Sequence, residues 1–386
     1  MTVASCNSDN NTGEPADNES ESEPVAVDDA LLNEAVQTYA AGVHSAYDTS
    51  LMSAHAMDAA IDAFLESPSQ ATLDSARHTW LVAREDYGPT EVFRFYGGPI
   101  DHEETGTEGM INAWPLDEAY IDYVEGSPNA GIINNPEDYP QITAGLLLQL
   151  NEQGGEANIS TGWHAIEFLL WGQDLNQNGP GNRPVTDYTT AANSDRRSQY
   201  LEVVTDQLII HLEELVNAWA PDKDNYRKTF ESMGAREALQ LAFTGIGEMS
   251  RGELAGERMN VAYTERSQED EHSCFSDNTT ADIVGNARGI EMVLLGSYPG
   301  GVSGVGLLDL VRVADSSLAD QLRSEVAISV SLARAIPEPF DQHLQDDVSD
   351  QDPGRKAILA TIEALENQTD TIVDAADVLG IMLNVS

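Results

Sequence analysis

The chain has 386 residues, of which 66 are Asp or Glu and 19 are Lys or Arg, so its formal net charge is -47. This charge repels phosphate groups and excludes nucleic acids and anionic membrane surfaces as partners. An apolar content of 41% can build two hydrophobic cores, and a chain of this length commonly forms two domains. Lys is rare among the basic residues, which favours an acidic protein adapted to high salt over an ordinary acidic secreted protein.

The N-terminal residues 1–27 contain almost no apolar side chains, which predicts a disordered tether. The sequence Val-Ala-Ser-Cys that ends at Cys6 resembles the lipobox before the lipidated Cys of bacterial lipoproteins. A lipid on Cys6 is therefore the predicted membrane attachment. Nothing later in the chain approaches the ~20 consecutive apolar residues of a membrane span.

Apolar residues recur every three or four positions through most of the chain, as in amphipathic helices. Alternating runs rich in Val and Thr, which are typical of strands, are missing. An irregular segment separates the helices from about Gly97 to Pro140, and loops of this length usually carry function. The sequence therefore predicts an all-α protein of two helical-bundle domains, residues 28–190 and residues 191–386.

The apolar window from Thr161 to Asp174 is predicted to be a buried helix, and it contains His164 and Glu167. A spacing of three places both side chains on one helical face, where they can hold one metal ion or one proton. Three other His residues have an acid at the same spacing, but their polar neighbours indicate solvated helix faces. This difference in surroundings favours a functional site at His164 and Glu167 over a structural pair in which the two residues only contact each other in the core. The three other residues are His55, His211 and His343.

The segment from Arg288 to Gly296 is similar in sequence to the segment from His164 to Gly172. The two segments share Ile, Glu, Leu and the final Gly. Two explanations stay open, an internal duplication and two unrelated buried helices that end in Gly. If the segment is duplicated, any metal chemistry belongs to the first copy, because the second copy has Arg288 at the position of His164 and Arg is not a metal ligand.

The hexapeptide from Gly162 to Glu167 matches the Gly-x-His-x-x-Glu signature, and the chain resembles the imelysin family. Blocks at residues 90–101, 114–118 and 269–279 match as well, and together the matches cover most of residues 30–386. The resemblance implies a cell-envelope protein, periplasmic or in the outer membrane and often a lipoprotein, with a link to iron uptake or homeostasis. Thr280 departs from the pattern, because the family has a His there. Other family-motif positions are Gly162, Arg94, Asp101 and Asp277.

The metal-binding interpretation makes His164 and Glu167 ligands, with Glu91 as the first candidate for a third ligand. Asp117 and Glu118 come next, although a helix cap or a salt bridge explains an acid at either position better. A mixed nitrogen and oxygen site leaves the metal open, with iron implied by the resemblance and zinc or copper compatible. An envelope transport partner is a further expectation.

The rival interpretation is a zinc peptidase in which a distant His completes the pair of His164 and Glu167. The motif His-Glu-x-x-His is absent, however, and the helical pattern differs from the mixed α/β folds of enzymes with such ligands. A third interpretation is an adhesive or structural protein, in which His164 and Glu167 only contact each other in the core. Candidates for the distant His are His211, His272 and His343.

Overall fold

The computed structural model of the protein describes residues 27–176 and 178–385. In this part of the chain, extended pairing is limited to two isolated bridges, so the predicted all-α class is confirmed. None of the described helices combines the length and the apolar character that crossing a membrane requires. The predicted lipid site at Cys6 and the predicted tether, apart from its last residue, lie outside the described residues.

The described residues form α-helices joined by short 3₁₀ segments and one π-helix. The α-helices are α1 (Asp29–Glu66), α2 (Gln70–Tyr87), α3 (Glu108–Ile111), α4 (Glu118–Ile121), α5 (Gly131–Asn134), α6 (Ala144–Leu150), α7 (Gly162–Trp171), α8 (Ser194–Trp219), α9 (Tyr226–Ser232), α10 (Ala235–Glu248), α11 (Val261–Glu265), α12 (Thr279–Leu295), α13 (Leu307–Ala314), α14 (Ser316–Ala333) and α15 (Pro353–Asp377). Shorter 3₁₀ segments are Gly88–Phe93, Val185–Tyr188, Gln268–Asp270, Pro299–Gly301 and Phe340–His343, and Met249–Asn260 is a π-helix.

One stretch of continuous helical periodicity is divided in the structure. The apolar pattern from residue 306 to residue 335 predicts a single helix. The segment instead forms α13 and α14, because the Asp315 side chain accepts hydrogen bonds from the backbone N–H groups of Ser317 and Leu318. Such an N-cap starts a new helix. The predicted irregular segment contains the short helices α3, α4 and α5.

The first bundle is formed by α1, α2, α7 and α8. The long helix α1 packs against α2 and α8, and α7 lies against both α2 and α8. The buried Trp80 indole on α2 donates a hydrogen bond to the Trp163 carbonyl at 3.1 Å, which fixes the start of α7. Helix α8 lies beyond the predicted boundary at residue 190 but packs on α1 and α7; the domain boundaries and the internal duplication stay predictions.

The second bundle is formed by α10, the π-helix and α12 to α15. Its helix α12 also packs against the 3₁₀ segment Gly88–Phe93 of the N-terminal half. The two segments approach closely because glycines lie at the contact. A Cβ at Gly289 would lie only 2.6 Å from the Pro89 carbonyl oxygen, and Gly285 faces Gly88. Polar residues of both halves of the chain are thereby brought into one buried layer.

Candidate functional site

Helix α7 begins at a glycine that no other residue could replace without strain. Gly162 has φ +84, in the left-handed region, and a Cβ there would lie 2.4 Å from the Ile111 carbonyl oxygen. The helix ends at Gly172, which also has a positive φ. Every residue of α7 is buried, so His164 and Glu167 have no access to bulk water.

The two signature residues bond to each other, as the predicted shared face requires. Nδ1 of His164 lies 2.8 Å from Oε2 of Glu167. The other carboxyl oxygen of Glu167 accepts hydrogen bonds from the Ser276 backbone N–H at 2.9 Å and from the Ser276 hydroxyl at 2.7 Å. Glu167 is therefore fully engaged by neighbouring groups.

A second histidine faces the first across the buried layer. Nε2 of His272, from the loop before α12, lies 3.1 Å from Nε2 of His164. Nδ1 of His272 lies 2.9 Å from Oδ2 of Asp282 on α12. The four side chains form a continuous chain in the order Glu167, His164, His272, Asp282, in which each imidazole has a carboxyl group on its Nδ1.

Asp282 closes this chain as a compensated anion. It accepts hydrogen bonds from Nη2 of Arg84 at 2.8 Å, from the Ser273 hydroxyl at 2.5 Å and from Nδ2 of Asn278 at 3.0 Å. A guanidinium and two neutral donors therefore surround this buried carboxyl group. The series of four side chains ends on α12 at an acid paired with Arg84.

At the other end of this series of four side chains, Glu167 is favoured in its neutral form. Burial raises the pKa of Glu167 to about 8, against the opposing hydrogen bonds from Ser276. Burial, followed by the neighbouring His272 and Arg84, lowers the pKa of His164 well below its usual value. Burial, followed by Arg258 and Arg84, does the same to the pKa of His272. Both imidazoles are therefore neutral near pH 7.

The hydrogen-bond network assigns one consistent set of protons. Protonated Glu167 donates to Nδ1 of His164, and Nε2–H of His164 donates to Nε2 of His272. Nδ1–H of His272 then donates to the Asp282 carboxylate. The arrangement can pass or release a proton along its length, and it leaves one proton between two potential metal-ligating nitrogens.

Glu91, the predicted third ligand, lies in this layer but is held by other side chains. Its Oε2 accepts hydrogen bonds from Arg258 at 2.5 Å and from Asn112 at 2.8 Å, and Asn286 donates to Oε1 at 3.1 Å. Burial acts to raise the pKa of Glu91, but Arg258 and Arg84 prevail and lower it. This ion-paired arrangement orients the arginines and leaves no free oxygen of Glu91 directed at His164.

The other predicted positions have separate roles in the structure. Asp117 is exposed and caps α4 by accepting a hydrogen bond from the Ala119 N–H at 3.0 Å. Asp101 accepts hydrogen bonds from the backbone N–H groups of Phe95 and Tyr96, which fixes that loop. Asp277 lies half-buried in the loop before α12. The structure therefore does not bring Asp117, Asp101 or Asp277 into hydrogen-bond contact with His164.

Arg94 lines a cavity of about 490 Å³ that reaches His272. It forms ion pairs of 3.2 Å with Glu108 and with Glu253 of the π-helix. The Trp114 ring also lines the cavity and packs on the His164 ring with centroids 4.8 Å apart. Helical segments with π geometry are frequent at functional sites. The remaining acidic lining residues are Glu152, Glu156, Glu257 and Asp270.

Sequence reasoning named His272 only among candidates for the rival peptidase, and it missed Asp282 and Arg84. The acidic block around His272 is the one local signal for it. Of the other two candidates, His211 bonds to Glu214 at 3.3 Å and His343 to Asp352 at 3.0 Å, which leaves His272 as the partner of His164. Among the described residues, no three His, Cys, Asp or Glu side chains are arranged to hold a metal ion.

Known proteins resemble the chain over most of its length. Iron-regulated protein A of Synechococcus elongatus is 26% identical over 325 residues, which are 82% of this chain and 77% of that protein. The crystal structure of an iron-regulated protein A precursor from Parabacteroides distasonis has a TM-score of 0.74 at 18% identity, covering 93% of this chain and 97% of that chain. An imelysin-like protein from Psychrobacter arcticum has a TM-score of 0.64 at 14% identity, with 93% and 99% covered.

These structures share the fold of the protein. At the level of sequence, the family model described as Imelysin matches residues 43–372. This match spans both helical bundles and includes the signature helix α7 with the loop that carries His272. The chain therefore belongs to the imelysin family.

Proposed function

We propose that the protein binds a metal ion, with iron as the first candidate, through Nε2 of His164 and Nε2 of His272. The observation that carries this proposal is the convergence of these two nitrogens, 3.1 Å apart, from different halves of the chain. Two imidazoles bound to one ion at about 2.0–2.1 Å each place their nitrogens about 3 Å apart. The residues present therefore fit a bound transition metal.

The carboxyl groups behind the imidazoles support this assignment. Metal-bound histidines commonly donate their second N–H group to a carboxylate, which orients the ring and makes it a better ligand. Glu167 and Asp282 occupy these positions. In this proposal Glu167 orients His164, whereas the sequence alone made it a ligand.

The adjoining cavity supplies an approach for cations. Glu253, Glu257 and Asp270 line it, and an acidic cleft raises the local concentration of positive ions. Further coordination positions of the ion would be open to water or to a small ligand in this cavity. Imidazole nitrogens suit ferrous iron, zinc and copper, so zinc and copper remain alternatives to iron.

The physiological setting that we propose is iron uptake or homeostasis in the bacterial cell envelope. Its support is the family and the similarity to a protein named for its regulation by iron. Attachment through a lipid on Cys6, a periplasmic or outer-membrane location and an envelope transport partner belong to this proposal. High-salt adaptation, proposed from the charge of -47, completes it.

The zinc-peptidase alternative requires a carboxylate that is free to activate water. Glu167 and Asp282, the carboxyl groups nearest to the imidazoles, are each bonded to a His and to a Ser side chain. This engagement favours binding over peptide hydrolysis.

Elemental analysis of protein purified without an affinity metal, followed by titration with ferrous, ferric, copper and zinc ions, tests the proposal. His164→Ala and His272→Ala should each abolish specific binding, because each removes one of two ligands. His211→Ala removes another His with an acid three residues on, and should leave binding unchanged. Equal metal affinities of the wild type and His164→Ala would refute metal binding at this site.

A further inference from the structure

The Trp114 ring separates one of the two proposed metal ligands from the acidic cavity. The described residues that line this cavity include His272 and Trp114 but not His164, which is 1% exposed. The Trp114 ring packs on the His164 ring with centroids 4.8 Å apart, and its centroid lies 6.1 Å from that of His272. An ion in the cavity therefore meets His272 and the indole before it reaches His164.

Trp114 belongs to a short irregular segment, residues 113–116, between α3 and α4. In the described part of the chain, no backbone-to-backbone hydrogen bond involves these residues. The Trp114 indole Nε1 is buried without a hydrogen-bond partner, whereas the Trp80 indole donates to the Trp163 carbonyl. The Trp114 ring is therefore held over His164 by packing and not by a hydrogen bond.

Both ends of this segment are fixed to the rest of the protein. At one end Asn112 is buried, and its side chain accepts a hydrogen bond from Arg84 at 2.6 Å and donates one to Glu91 at 2.8 Å. At the other end the Asp117 backbone N–H donates to the Ala157 carbonyl at 2.7 Å. A segment that is anchored at both ends and weakly held between them can move without disturbing its neighbours, as gating loops do.

The cavity provides the space for such a movement. Ala113 and Pro115 line it on either side of Trp114, and Pro115 is exposed. The Trp114 ring also makes an edge-to-face contact with the Phe275 ring, with centroids 5.7 Å apart. Aromatic pairs in this geometry are attractive but individually modest. Movement of the indole into the cavity would break ring contacts only, and it would expose the His164 ring to the cavity.

We propose that Trp114 is a gate residue that controls the access of a metal ion to His164, an inference that rests on the metal binding proposed above. In the closed position the indole covers the His164 ring and separates it from the cavity. When residues 113–116 move outwards, a cation in the cavity reaches both imidazoles. Because the gate acts on the path of the ion and not on its ligands, it sets the rates of binding and release more than the affinity.

Stopped-flow mixing of the metal-free protein with ferrous sulfate in the absence of oxygen, followed by tryptophan fluorescence, measures the association rate. An excess of a colour-forming iron chelator then measures the release rate. Trp114→Ala should raise both rates about tenfold or more and change the affinity about threefold at most, because it lowers one barrier in both directions. Trp114→Phe keeps part of the aromatic cover and should raise both rates about threefold. Leu175→Ala, which truncates an exposed apolar side chain outside this cavity, should keep the wild-type rates.

Wild-type rates in the Trp114 variants would overturn the gate, and if Trp114→Ala does not fold, Trp114→Phe decides the question by the same two rates. A loss of affinity caused by faster release alone would also overturn it, because that result makes Trp114 a support for the His164 ring. Ferrous binding that is lost in His164→Ala but has wild-type rates in the Trp114 variants would refute the gate and leave the metal site standing. Absence of specific binding by the wild type would overturn both proposals.

Discussion

Asp122 and Glu167 are both fully buried, yet the protein surrounds them differently. Asp122 lies between Arg183 and Arg197 with contacts of 2.6 Å, and although burial acts to raise its pKa, the two arginines lower it. Glu167 contacts a histidine and a serine, and burial raises its pKa to about 8. The first environment fixes a permanent charge that links segments of the fold. The second keeps a proton available beside two imidazoles, which suits a binding site.

The largest effect on this comparison is expected from Asp122→Asn. The substitution leaves two buried arginines without their common anion, and breaking such a pair costs about 3–5 kcal/mol of folding free energy. Urea denaturation measures this loss. Asp117→Asn, at an exposed helix cap, is the control and should cost about 1 kcal/mol at most. Similar losses in both variants would show that Asp122 is not a structural charge.

Glu167→Gln should have a small effect on stability and a large effect on metal affinity. At pH 7 the native carboxyl group is largely protonated, so the amide should change the stability of the metal-free protein little. Metal affinity should fall about 10–100-fold, because Gln cannot provide the negative charge that supports a metal-bound imidazole. Paired denaturation and metal titration measure the two quantities. A large loss of stability with unchanged affinity would assign Glu167 to the structural class of Asp122.

The pH dependence of stability sharpens the same comparison. The folded pKa of Glu167, about 8, lies above its usual value of 4.5, so its contribution to stability is complete below pH 4.5 and is lost as the pH rises through 8. The lowered pKa values of His164 and His272 affect folding stability only below pH 6.5, the usual pKa of histidine. Between pH 6.5 and 8 the metal-free wild type should lose up to about 1.4 kcal/mol per pH unit from this proton. Glu167→Gln should make this slope shallower by about that amount in denaturation curves, and the remaining slope comes from other acids whose pKa values burial raises, such as Asp277.

Metal binding should have the opposite pH dependence. If a metal ion binds Nε2 of His164 as proposed, the proton held between the two imidazoles would have to leave and the Glu167 proton would move to Nδ1, so one proton would be released. Metal affinity should therefore rise with pH up to about 8. Titrations in buffers of different ionisation enthalpy count the released proton, and a pH-independent affinity would contradict the proton assignment.

The smallest change is expected when salt is added. With 66 acidic and 19 basic residues, the wild-type melting temperature should rise between dilute buffer and molar sodium chloride, since counterions screen surface repulsion. The destabilisation by Asp122→Asn should stay nearly the same, because its ion pairs are inside the protein. A flat melting temperature would remove the argument for salt adaptation.

The sequence alone determined the features that depend on neighbouring residues. Helical periodicity predicted the all-α class, and the apolar window containing His164 and Glu167 predicted the buried helix α7 with both side chains on one face. These predictions succeed because helix formation and the orientation of side chains three residues apart are local properties.

Only the tertiary structure decided which distant groups complete the site. His272, Asp282 and Arg84 meet His164 through the packing of α12 on the N-terminal half, and no local pattern records that packing. It also changed the interpretation of Glu91, an isolated acid in the sequence that accepts hydrogen bonds from Arg258 and Asn286 in the fold. The physical reason is that a buried acid acts as ligand, proton donor or ion-pair partner according to its neighbours, and those neighbours are set by the packing of helices far apart in the chain.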